Sequence, residues 1–169
     1  MKKRSSVELK RTFGFQKILA IACFIVAMFC FLQGLRPVEA AGYEVSALLA
    51  IPSIDLEVDV TKLSLVNHEL ETPDEIVGSF SHAKNKTLLI AHSTTAFSRL
   101  ENIKLGDEII YNGNKYIARD FVVLKESNIN MGSLLKSEPE NTIVLMTCAG
   151  ELYNDGGASH RLIITATAE

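Results

Sequence analysis

From Ile18 to Leu32 the chain places fifteen apolar residues in a row. With the looser flanks, Phe13 to Leu35, the stretch has the roughly 20 residues that a helix needs to cross a bilayer. A helix that is apolar all round suits lipid rather than one side of a protein core. The pattern predicts a transmembrane signal anchor over 13–35, after a basic tail over 1–12 and before a linker over 36–46. A cleaved signal peptide is the alternative, because Val38-Glu39-Ala40 sets small residues at a cleavage position. The length of the apolar run, at the top of the signal-peptide range, favours the anchor.

After residue 46 the rhythm shortens to two. "ALLAIPSIDLEVDV" begins apolar and then alternates, with Ile54, Leu56, Val58 and Val60 against Asp55, Glu57 and Asp59, the mark of a half-buried strand. Pro52 inside it predicts an edge or a bulge. "KLSLVNHEL" reads as a short strand and "KTLLIAH" as a compact central strand ending at His92. In "STTAFSRLENIKLGDEI" the spacing of Phe97, Leu100 and Ile103 predicts a helix, capped by Ser93, Thr94 or Thr95 and ended by Gly106. "EIIYNGNKYIARDFVVL" is a hairpin around Asn112-Gly113. A polar connection follows, with one helical turn near Ser133–Leu135. "TIVLMTC" is a strand, "AGELYNDGGASH" a Gly-rich loop and "RLIITATA" the last strand. Seven or eight short strands with little helix predict a β-barrel or a β-sandwich over 47–169, and the pattern alone does not choose between them.

Charge divides the chain at the same place. Residues 1–36 carry seven Lys/Arg and one acid, whereas the rest carries ten basic and nineteen acidic side chains, a net of −9. Basic residues before the apolar run leave the N-terminus in the cytoplasm and the acidic domain outside. An acidic domain argues against nucleic acid as a partner, because phosphate binding needs a concentrated positive field.

Cysteine usage narrows the chemistry. Cys23 and Cys30 lie in the apolar run, so Cys148 is the one cysteine of the exported domain and has no disulfide partner within it. It is either a packing residue at the end of a buried strand or a nucleophile. A nucleophilic thiol needs its thiolate form, a base or cation beside it, and stabilisation of the developing oxyanion. His92 ends an apolar strand as Cys148 does, and adjacent strands ending on one rim would bring the two together. Arg161 opens the next strand, thirteen residues on, and sits near the thiol if the two flank one loop. Each residue also has a plainer role, as core cysteine, strand-end polar residue or solvated cation, and spacing leaves both readings open. Around them, Thr147 orients the thiol or substrate or simply packs, and Ser93 and Thr94 line a pocket or cap the helix. His160 neighbours Arg161, but alternation points it the other way. The acidic side chains Glu57, Asp59, Glu69 and Glu71 lack the ligand spacing of a calcium loop and read as a solvated face.

"VLMTC" followed by "HRLIITA", with "LLIAHSTTAFSRLENIKLGDEI" upstream, resembles the sortase family. The shared pattern is a His at a strand end (His92), a following segment with Phe97 and Leu100, then Leu105-Gly106-Asp107, a Thr-Cys pair closing a strand (Thr147-Cys148) and an Arg opening the next (Arg161). It runs from about Ala47 to Ala168. Ala91 departs from it, since many members have Gly before the histidine. The resemblance implies a closed eight-stranded β-barrel with one or two short helices, behind an N-terminal transmembrane helix. It implies a cysteine transpeptidase that needs no metal or cofactor and acts on an LPxTG-type sorting signal. Cys148 would attack the Thr carbonyl to form a thioester, His92 would protonate the leaving amine, and Arg161 would bind the substrate carbonyl or the oxyanion. Ser93, Thr94 and Thr147 are the implied substrate-binding residues. The implied partners are LPxTG-type surface proteins, an amine of a peptidoglycan precursor, and the plasma membrane through the N-terminal helix. That makes the chain a single-pass protein with its catalytic domain extracytoplasmic. Short loops, no lid segment before the domain and no apolar segment after it point away from the pilus-polymerising members, toward a class D/E-like or class A-like enzyme. The rival readings are a cysteine hydrolase that gives the acyl group to water, and a non-catalytic, membrane-tethered binding domain with Cys148 inert.

Overall fold

A computed structural model describes residues 43–66, 69–70, 72–154 and 157–169. The apolar run and its flanks lie outside the described residues, among which no helix is long and apolar enough to cross a membrane. Eight strands close into a barrel. In chain order they are β1 (Val45–Ile51), β2 (Leu56–Lys62), β5 (Val77–Ala83), β6 (Lys86–Ile90), β7 (Glu108–Tyr111), β8 (Asn114–Lys125), β9 (Thr142–Leu152) and β10 (Ala158–Ala168). Around the barrel the order is β1-β2-β5-β6-β9-β10-β8-β7, and β7 pairs with β1 to close it. The pairs β2–β5 and β6–β9 are parallel and the others antiparallel. A separate two-stranded hairpin, β3 (Leu65–Val66) and β4 (Glu69–Leu70), lies between β2 and β5 in the chain. The choice that periodicity left open, barrel or sandwich, is therefore resolved in favour of the barrel.

Several elements differ from the sequence reading, each for a local reason. "ALLAIPSIDLEVDV" is two antiparallel strands rather than one. Pro52 starts a 3-10 turn over Pro52–Ile54, and Asp55, in the left-handed region at φ 52°, turns the chain back. Alternation survives in β2, where Val60 is buried while Glu57 and Asp59 face water. Strand β5 carried no signal, because Gly78 and Ser79 interrupt its apolar run. Gly78 is needed where it stands, since a Cβ there would run into the Leu63 side chain. The expected helix after His92 is a series of i to i+3 turns ending in a 3-10 turn, Leu100–Asn102. Phe97, Leu100 and Ile103 are spaced by three, which is the 3-10 period as well as an α-helical neighbour spacing. All three are buried in the barrel core with Leu49, Ile51 and Leu145, and each such burial contributes about 2 kcal/mol. The hairpin turn is as expected: Asn112 and Gly113 have φ of 49° and 76°, the type I′ geometry. The helical turn in the polar connection is α1, Met131–Leu134, capped by the Asn130 side chain.

A second apolar layer covers the outside of β6, β9 and β10. Leu88, Ile90, Val144 and Ile163 point outward there and are packed by Leu63, Leu70, Ile129, Leu134 and Leu135. The covering pieces are the β3–β4 region on one flank and the segment around α1 on the other. The gap between those flanks is where the site lies.

Candidate active site

Alternation in β9 sends Ile143, Leu145 and the buried Thr147 into the barrel, and Val144, Met146 and Cys148 outward. In β10, Leu162 and Ile164 point in, so Arg161 and Ile163 point out. Cys148 and Arg161 are register partners across the antiparallel pair. Directly opposed residues project on one face with Cβ atoms about 5 Å apart, so the Arg161 side chain leaves the sheet beside that of Cys148. Two details correct the sequence picture. The strand carrying Cys148 does not stop there but continues to Leu152, and Arg161 is the fourth residue of its strand, not the first. What sets Cys148 apart is a bulge just past it: Gly150 and Glu151 oppose the single Ser159, with Gly150 at φ 75° and the Glu151 N–H donating to the Ser159 hydroxyl.

His92 lies two residues past the end of β6. Strands β6 and β9 run parallel, and their register ends at Ile90 opposite Met146. Continuing it by two places sets His92 opposite Cys148. Two hydrogen bonds hold that continuation: the Ala91 N–H donates to the Met146 carbonyl at 3.4 Å, and the Thr147 hydroxyl donates to the Ala91 carbonyl at 2.7 Å. The His92 carbonyl accepts the N–H groups of Thr95 and Phe97, so the turn that fills the barrel also anchors the histidine backbone. Asp74, a surface carboxylate with no signal in the sequence, stands 4.0 Å from His92 Nε2. The Thr95 hydroxyl donates to the Asp74 carbonyl and fixes that loop.

His92, Cys148 and Arg161 line one cavity of about 550 Å³ between the two covering flanks. The rest of its wall is largely apolar, with Leu65, Leu70, Phe80, Ile90, Leu135 and Met146. On the other side of Cys148 a smaller cavity of about 290 Å³ is lined by Ser93, Phe97, Ser98, Glu101 and Phe121 among others. Ser93 thus faces the second cavity and Thr94 neither, while Thr147 borders both from its buried position. Neither Ser93 nor Thr94 caps a helix, because the 3-10 turn after them begins only at Leu100, with Arg99 in the cap position. Glu126 is a further residue that sequence reasoning missed: its carboxylate pairs with Arg161 at 2.6 Å. The one available hint was its place in "VVLKE", two residues past Leu124 on the same alternation. Glu57 and Asp59 are exposed on β2, Glu71 lies outside the described residues, and among the described residues no His, Cys, Asp and Glu side chains group as a metal site.

The geometry is that of an outward-facing thiol flanked by a cation and an imidazole at the end of an apolar trough. A model of the sortase domain matches residues 49–169, and the chain belongs to the sortase family, whose fold carries cysteine transpeptidase activity. Among solved structures the chain is similar to a lid mutant of sortase A from Corynebacterium diphtheriae, at 26% identity over 82% of this chain and 77% of that one, with a TM-score of 0.58. Sortase C-1 from Actinomyces oris matches at 26% identity over 74% and 72%, with a TM-score of 0.57. The fold of a Clostridium perfringens sortase D5 transpeptidase matches at 19% identity over 75% and 79%, with a TM-score of 0.58. Nearly equal scores across classes A, C and D show that the barrel is common to all three and does not itself mark a class. No curated protein matches the chain.

Proposed function

We propose that this protein cleaves an LPxTG-type sorting signal through a thioester on Cys148 and transfers the acyl group to an amine of a peptidoglycan precursor. The observation that carries the reading is the register pairing of Cys148 with Arg161 at the end of a cavity that also takes in His92. The Arg161 side chain is only 18% exposed, and a cation withdrawn from bulk water acts on a nearby charge more strongly than a solvated one.

In the first half-reaction the Cys148 thiolate attacks the carbonyl carbon of the signal's Thr. Negative charge gathers on the carbonyl oxygen, where Arg161 N–H groups donate to it. The His92 imidazolium gives its proton to the departing amine as the C–N bond breaks, leaving the thioester and a neutral imidazole. An incoming amine then attacks the thioester carbonyl. Its proton passes to His92, the new C–N bond forms, and the Cys148 thiolate is released. The apolar trough of Leu65, Leu70, Ile90 and Leu135 suits the hydrophobic positions of the signal. The apolar run of residues 18–32 supports a place at the plasma membrane for the chain, with the barrel extracytoplasmic.

Mass spectrometry of the full chain incubated with a sorting-signal peptide, with and without an amine acceptor, tests this. The expected products are an acylated Cys148 and, with amine present, a peptide–amine conjugate. Loss of the Arg161 donors in Arg161→Ala should slow cleavage about 100-fold. Cleavage by Cys148→Ala would overturn the reading, and cleavage with no conjugate under any acceptor would replace the transferase by a hydrolase.

A further inference from the structure

Arg161 enters the site with much of its hydrogen-bonding capacity committed. A guanidinium has five N–H donors in a fixed planar fork. Nη1 donates to the carbonyls of Ala158 and His160, at 3.0 and 3.1 Å. Nη2 donates to Glu126 Oε1 at 2.6 Å, a charge-assisted bond and the strongest of the three. That leaves the Nε–H and the second N–H of Nη2.

Glu126 reaches Arg161 from the flank. Its position follows from register: Arg161 is paired with Leu124 on β8, and Glu126, at the start of a 3-10 turn, comes two residues later on the same alternation. Arg161 borders the cavity beside Cys148, whereas Glu126 is not part of its wall. The carboxylate therefore grips the guanidinium from outside without occupying the space a substrate needs. Glu126 is 54% exposed, and an ion pair with so solvated a partner contributes little to folding. Stability gives no account of why this acid stands against this arginine.

We propose that Glu126 is a positioning residue for the transpeptidation: it locks the plane of the Arg161 guanidinium so that the uncommitted N–H groups face the thiol side of the cavity, where the oxyanion forms. The inference rests on the reading of Arg161 as the oxyanion donor. Without Glu126 the two carbonyl bonds remain, but the long side chain is free to turn about them, and donors held in place before the charge appears are what make such a site effective.

The test compares Glu126→Gln and Glu126→Asp with the parent enzyme, using the full chain and a sorting-signal peptide. Glu126→Gln is expected to lower kcat about tenfold with KM nearly unchanged, as fits loss of one charge-assisted bond on a transition-state donor. Its melting temperature should stay at the parent value. Glu126→Asp, which keeps the charge, should recover part of kcat. In an Arg161→Ala background, single-turnover acylation should be indifferent to Glu126→Gln. Parental kcat in Glu126→Gln, or an equal further loss in the Arg161→Ala background, would overturn the positioning role while leaving Arg161 as oxyanion donor intact. Parental cleavage by Arg161→Ala would remove the reading beneath it.

Discussion

Replacing Thr147 with valine removes one hydroxyl and almost no volume. That hydroxyl is buried, since Thr147 is 4% exposed, and it donates at 2.7 Å to the carbonyl of Ala91, the residue before His92. The bond joins the backbone next to the thiol strand to the backbone next to the imidazole. Thr147→Val leaves a buried carbonyl without its partner, which costs about 1–3 kcal/mol. For a domain of this size that lowers the melting temperature by about 4 °C per kcal/mol. Thr147→Ser keeps the bond and loses one methyl, which costs about 1 kcal/mol. The two variants overlap in stability but should separate in function. Without the bond, only the 3.4 Å link to Met146 ties the Ala91-His92 segment to the thiol strand, and misplacement of a reacting group by a fraction of an ångström lowers the rate about tenfold or more. Peptide cleavage measured at a temperature where all three proteins are fully folded should therefore rank parent and Thr147→Ser together, with Thr147→Val well below. Equal rates for Thr147→Val and the parent, or equal losses in both variants, would refute the idea that this bond positions His92.

The bulge beyond Cys148 and the turn before β7 offer two further tests. Gly150→Ala puts a Cβ at φ 75° and against Ser159 Oγ and His160 Nδ1. The left-handed strain alone costs about 1–2 kcal/mol, so thermal melts should show a drop of several degrees, and cleavage should fall with it because Cys148 is two residues away. Asp107 accepts the Lys104 backbone N–H at 2.9 Å, and this bond, with one from Ser53, holds its carboxyl below the ordinary aspartate value of 3.8. A lowered folded pKa gives stability that is fully present above the ordinary value and lost as pH falls through the folded one. Urea melts should show Asp107→Asn less stable than the parent at neutral pH, with the gap closing as pH falls from 3.8 through the lowered value of the folded state.

Much of the barrel was legible because it rests on local rules. The alternation of β2, the Asn112-Gly113 turn and the apolar run of β6 each report a backbone period or a positive φ that the residues themselves require. Failures came where local and tertiary demands diverge. Strand β5 hides behind Gly78 and Ser79, since its glycine answers to Leu63, a side chain fifteen positions earlier in the chain. The segment after His92 has an apolar spacing that fits two kinds of helix, and the barrel interior selected the tighter one. Cys148 read as a strand end because Ala149 and Gly150 break the apolar pattern, although the chain pairs on to Leu152 through a bulge.

For the site, residue types and their order were determined by sequence alone: a single cysteine after a threonine in residues 47–169, a histidine past an apolar strand, an arginine thirteen residues beyond the cysteine. Which of them face one another was decided by register, because a slip of one residue sends a strand's side chains to the opposite face. The parallel pairing of β6 with β9 and the antiparallel pairing of β9 with β10 are long-range choices made by the packing of Leu49, Phe97, Leu145 and their neighbours inside the barrel. The same packing brings in Glu126 and Asp74, whose contacts with Arg161 and His92 span 35 and 18 positions of the chain. No local pattern encodes such contacts, since an exposed acid reads alike whether it faces water or a guanidinium.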